Sequence, residues 1–185
     1  MRVLVIVLGL AIAATAAQGA PAGWTRYTDM KLGWTIAYPA QWKVDPHYVS
    51  TTLGPDHEIK GVSFSIPDSV QPGTNLSHND TALSVESLPG KDCKPGQFVD
   101  PAENVRKVKA DGRIYTAADS GDAAAGNRYE TYIFVVNGTS PCLAVRYFVH
   151  STAVENYDPG SIKAFNEAKL LAQFDAIRAT LKLGK

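Results

Sequence analysis

Arg128, Glu130, Tyr132, Arg146 and His150 are the residues of this chain whose types and spacing best suit binding chemistry. They fall at alternate positions of two neighbouring stretches. On two paired strands such residues share one face of the sheet. An arginine fork beside an aromatic and a histidine suits a small anionic ligand or a partner protein. The wet face of an antiparallel sheet carries the same pattern, with cross-strand ion pairs of small net value.

Catalytic and metal chemistry have less support. Cys142 and His150 sit on one predicted strand, about 27 Å apart at strand rise, so they cannot meet. Neither a Gly-x-Ser-x-Gly elbow nor a Ser-x-x-Lys with its supporting motifs occurs. A catalytic group would have to be gathered from distant loops, for example from His57, His78 or Asp80. Asp56-His57-Glu58 offers three oxygen and nitrogen donors, but sequence neighbours rarely converge on one ion. Asp119 and Asp122 lie beside Gly121 and lack the longer ligand pattern of a calcium loop. Both groups read as solvated turns, and no metal or cofactor is expected. Asn75, Asn79 and Asn137 each begin a glycosylation acceptor triplet, which matters only in a eukaryotic host.

The compartment is legible from the first residues. Arg2 followed by the apolar run Val3 to Ala14 and by small residues reads as a secretory leader. Ala17 and Gly19 suit a cut before Ala20; a cut after Ala17 is the alternative. The run is too short for a comfortable membrane span, so stable membrane insertion is not expected. About 166 residues from Ala20 to Lys185 suit one domain with a sizeable core. Lysines and arginines number 18, as do aspartates and glutamates, so loss of Arg2 leaves a formal charge of −1. That balance gives no basic excess for nucleic acid. A periplasmic or secreted location follows, and in that setting Cys93 and Cys142 are expected to form a disulfide. Two buried thiols or a reactive pair are the alternatives, although no Cys-x-x-Cys motif is present.

The elements that must position these residues are mostly strands. Strands are expected at Trp24–Asp29, Leu32–Tyr38, Trp42–Val44, Tyr48–Leu53, Lys60–Pro67, Ala82–Leu88 and Arg113–Ala118. Loops are expected at 68–81, 89–101 and Asp119–Asp122, and a short helix near Ala102–Lys107. Asn127–Val136 and Cys142–His150 flank Asn137-Gly138 and read as a hairpin. Val136 opposite Cys142 would put Tyr129, Thr131, Ile133 and Val135 with Leu143, Val145, Tyr147 and Val149 on a core face. The polar residues named first would then face water. A C-terminal helix is expected over Glu167–Lys182, capped by Asn166, with Leu170, Phe174, Ile177 and Leu181 inward and Gly184 ending it.

Tyr27, Gly33-Trp34-Thr35-Ile36-Ala37-Tyr38-Pro39, Trp42 and Val44 together resemble the first strands of the PsbP-like fold. The closing Phe174-Asp175-Ala176-Ile177 is similar as well. The resemblance implies an α+β domain with a central antiparallel sheet of about six strands between helices, an α/β/α sandwich. It implies binding or assembly duties more than catalysis. Tyr38 and Trp42 themselves suit structural anchoring around the bend at Pro39. The expected function is an exported, soluble, non-catalytic binding or assembly module of unknown ligand; a small exported hydrolase is the alternative.

Overall fold

Alternation of apolar and polar residues carries most of the chain into strands. The computed structural model describes residues 20–184; the expected leader, Met1 to Gly19, lies outside them. In chain order the strands are β1 (Trp24–Asp29), β2 (Trp34–Pro39), β3 (Lys43–Asp45), β4 (Val49–Ser50), β5 (Ile59–Ser65) and β6 (Ala82–Leu88). They continue as β7 (Glu103–Ala110), β8 (Arg113–Ala124), β9 (Asn127–Val136) and β10 (Cys142–Thr152), then helix α1 (Glu167–Arg178) and β11 (Lys182–Leu183). The main sheet has eight strands in the order β3-β5-β6-β10-β9-β8-β7, with β4 also paired to β5. A separate sheet has the order β1-β2-β11. Among the described residues no helix is long and apolar enough to cross a membrane.

This architecture is richer in sheet than the expected sandwich. The stretch expected as a helix at Ala102–Lys107 lies, from Glu103 onward, in strand β7, which pairs antiparallel with β8. Strand β8 runs on through Asp119–Asp122, expected as a loop, and turns only at Ala125-Gly126. One α-helix is therefore present among the described residues, and it covers one face of the main sheet.

On that face Phe64, Leu83, Val145 and Tyr147 of the sheet meet Trp34, Trp42, Leu170 and Phe174. Phe174 sits edge-on to Trp42 at 5.7 Å and tilted against Tyr147 at 5.1 Å. Each fully buried side chain of this size contributes about 1.5–3 kcal/mol. Asn166 caps α1 as expected, accepting from Lys169 N at 2.9 Å. The helix ends a turn early because Thr180 exchanges hydrogen bonds with the Ala37 backbone and Lys182–Leu183 then pair with β2. Leu181 is buried from this extended segment.

The opposite face is covered in part by the 89–101 loop. Cys93 and Cys142 are joined by a disulfide with a Cα–Cα separation of 5.4 Å. The bond draws Phe98 and Val99 onto Ile133, Val135 and Ala144.

The β9–β10 hairpin pairs one residue away from the expected register. Val135 lies opposite Ala144 and Ile133 opposite Arg146. Odd residues of β10 face α1, and even residues face the disulfide loop. The partition by apolarity could not choose the register because β10 is buried on both faces from Cys142 to Tyr147. The decisive contacts are specific ones. Cys142 must reach Cys93, and the turn is closed by Thr139, whose hydroxyl donates to Val136 O and accepts from Leu143 N, each at 3.1 Å.

Candidate functional site

The register places the five candidate residues on two different faces. Arg128, Glu130 and Tyr132 lie with the odd residues of β10, whereas Arg146 and His150 lie on the disulfide side. They form no single patch.

Arg146 is not wet at all. Its side chain is 1 % exposed, and that of its partner Glu86 is 0 % exposed. Nε donates to Glu86 Oε1 at 2.7 Å and Nη2 to Oε2 at 3.0 Å, while Nη2 also donates to the Phe98 carbonyl. Ser84 Oγ donates to the same Oε1 at 2.8 Å. A buried pair of this kind is held together because either charge alone would be heavily penalised. Arg146 Nη1 remains buried with no hydrogen-bond acceptor among the described residues.

Arg146 lines a groove of about 650 Å³ on this face. Ser63, Ser65 and Ser84 from β5 and β6 lie on its floor with Phe148, because these positions share the face that carries the even residues of β10. Lys43, Asp45 and the run from Tyr48 to Thr52 form one wall, and Asn79 and Asp80 lie at another margin. The Tyr48 hydroxyl is held above its ordinary pKa, first by burial and then by the charge of Glu86. Gly61 is required next to the pair: a Cβ there would lie 2.6 Å from Val85 O and 3.1 Å from Glu86 Cγ.

His150 is engaged on both ring nitrogens. Nδ1 contacts Asp80 Oδ2 at 2.8 Å and Nε2 contacts Asn127 Oδ1 at 2.9 Å. Ser77 Oγ donates to Asp80 at 2.8 Å rather than to the imidazole. A serine nucleophile would need the position that Asn127 holds. His78 Nε2 contacts the Val70 carbonyl, and His57 is exposed.

On the helix side Tyr132 donates to Glu167 Oε1 at 2.5 Å, and burial and this bond raise the phenol's pKa. Arg128 is exposed. Glu130 is raised above the ordinary carboxylate value, first by burial and then by the charge of Glu167.

Other motifs have structural duties. Asn75 is buried, donating to Thr152 O and accepting from Phe165 N, so it ties the 68–81 loop to β10. Asp119 pairs with Arg106 at 2.9 Å, and Asp122 Oδ1 accepts from Ala123 N. Tyr27 stacks obliquely on Trp34 at 5.5 Å, which makes the aromatic motif of β1 and β2 part of the core.

No family model matches the chain, and no curated protein matches it. Among solved structures it is similar to a protein of Bacteroides thetaiotaomicron VPI-5482, at 15 % identity and a TM-score of 0.50. That likeness covers 86 % of this chain and 48 % of the other, so the chain spans about half the length of that protein. It is also similar to cyanobacterial PsbP (CyanoP) of Synechocystis sp. PCC 6803, at 16 % identity and a TM-score of 0.46, over 93 % of this chain and 98 % of that one. A PsbP protein thus stands among the similar structures. At these identities the likeness is one of fold alone.

Sequence reasoning missed Glu86, Ser63, Ser84 and Tyr48. A signal for two of them was present: with Leu83 and Val85 inward on Ala82–Leu88, Ser84 and Glu86 share the other face. A buried carboxylate in the middle of an otherwise uncharged strand asks for a cation, and Arg146 is that cation.

Proposed function

We propose that the protein is an exported, non-catalytic binding module and that the Arg146 groove is its ligand site. The observation that carries this reading is the buried, unpartnered Nη1 of an arginine lining a groove rich in hydroxyls. Such a donor is costly to leave unmatched, and a ligand oxygen would satisfy it. Serine and threonine hydroxyls and the Tyr48 hydroxyl donate or accept as a polyhydroxylated molecule requires. Lys43 adds positive charge at the margin, while Asp80 is engaged by His150 and Asp45 by the His47 amide. The ligand class is a small hydroxylated carboxylate. The Cys93–Cys142 bond supports an oxidising compartment, periplasmic or extracellular.

Calorimetry with glucuronate, gluconate and tartrate tests the reading. Saturable binding of at least one is expected, lost in Ser65→Phe, which fills the groove without touching Arg146 or Glu86. Absence of binding by all three, or binding unchanged in Ser65→Phe, would overturn it. The hydrolase alternative draws on the Asp80–His150 contact. It predicts ester turnover that His150→Ala abolishes.

A further inference from the structure

A second recess, of about 580 Å³, lies on the other face of the same sheet edge, between the β1–β2 turn and β5. Tyr48 and Val49 border both cavities. Their chemistry differs. The walls here are apolar: Leu32 from the β1–β2 turn and Trp34 from the small sheet face Val62 and Val85 from the main sheet. Trp34 is 1 % exposed, yet its Nε1 has no acceptor among the described residues. An indole N–H is a donor only, so nothing but an incoming oxygen or similar acceptor can satisfy it. A buried indole normally finds a partner.

The margin of the recess is cationic. Lys31 and Lys60 both line it, and neither enters an ion pair among the described residues. His47 lines it too. The one carboxylate present, Asp29, is turned to the backbone, its Oδ1 accepting from Lys31 N at 2.9 Å and Leu32 N at 2.8 Å. We infer that this recess is a binding site for a small apolar carboxylate, distinct from the Arg146 groove. The apolar body packs between the two sheets, Trp34 Nε1 donates to a ligand oxygen, and Lys31 and Lys60 balance the negative charge. A volume of this size matches that of sites for small organic ligands.

Naphthalene-2-carboxylate is the probe, with the uncharged naphthalene-2-carboxamide as its control, both titrated by calorimetry. One saturable site per chain is expected, with the carboxamide about tenfold weaker. Trp34→Phe keeps an aromatic ring, though a smaller one, and removes the donor; it should weaken the carboxylate about tenfold. Lys31→Gln with Lys60→Gln alters exposed residues only and should weaken binding and flatten its dependence on salt. Ser65→Phe, which blocks the other groove, should leave this binding unchanged. Absence of saturable binding to the wild type would overturn the proposal. So would a carboxamide that binds as tightly as the acid, or an affinity and salt dependence unchanged in the double lysine variant. If Trp34→Phe fails to fold, the lysine variant decides.

Discussion

Arg146 grips Glu86 by two nitrogens, Nε at 2.7 Å and Nη2 at 3.0 Å, and both side chains are shut away from water. Two adjacent strands, β6 and β10, are thereby joined by an ion pair as well as by their ladder. Arg146 also lines the groove, so fold and site depend on the same contact.

Arg146→Ala is therefore expected to damage the fold, contrary to the mild effect that a wet arginine would predict. Leaving Glu86 buried and unpaired should cost about 3–5 kcal/mol. Replacing both members, Arg146→Met with Glu86→Leu, should recover most of that loss. Urea denaturation of the single and double variants checks both outcomes; a single variant within 1 kcal/mol of wild type, by the ordinary scale of surface changes, would contradict them.

Gly61→Ala should destabilise by about 1–3 kcal/mol, as overpacking does. The added methyl meets Val85 O at 2.6 Å, and strand β6 must shift. Because Glu86 Cγ is the next neighbour at 3.1 Å, the same substitution should weaken ligand binding in the Arg146 groove. Thermal melts and calorimetry on one preparation read the two effects together.

Removal of the disulfide by Cys93→Ser with Cys142→Ser releases a loop constraint spanning 49 residues. The expected loss is about 4 kcal/mol on chain-entropy grounds. Phe98 and Val99 would also lose their tether, so limited proteolysis should cut first between residues 89 and 101. In unreduced, denatured protein neither thiol should react with an alkylating agent.

Glu130 has a sign that can be worked out. Its pKa in the folded protein is raised, first by burial and then by Glu167, so the fold favours the protonated form. Its contribution is fully present below the ordinary carboxylate value and is lost as pH rises through the raised one. Glu130→Gln stays neutral throughout. The variant should lose less stability than wild type between about pH 4 and about pH 7. Urea midpoints at the two pH values measure it, and an unchanged pH dependence would count against the assignment.

Local signals sufficed for much of this molecule. The alternation in Ala82–Leu88 and Asn127–Val136, the cap at Asn166 and the pairing of Cys93 with Cys142 all appear where the residue pattern puts them. Each rests on periodicity, on a side chain bonding within its own turn, or on parity and compartment. The helix expected near Ala102 fails because a tertiary pairing with β8 outweighs weak local preference.

The binding face was a different matter. Residues of the same type on neighbouring strands share a face only in one register, and a slip of one residue exchanges the faces. With β10 apolar toward α1 and apolar again beneath Phe98, composition could not select that register. Residue patterning is enough to mark a sheet-rich chain with two cysteines to join and an arginine among apolar neighbours. That Arg146 turns inward to Glu86 emerges only in three dimensions, since it depends on which carboxylate lies on the adjacent strand. The same is true of Trp34, whose unmatched N–H becomes a feature only when a second sheet is laid beside it.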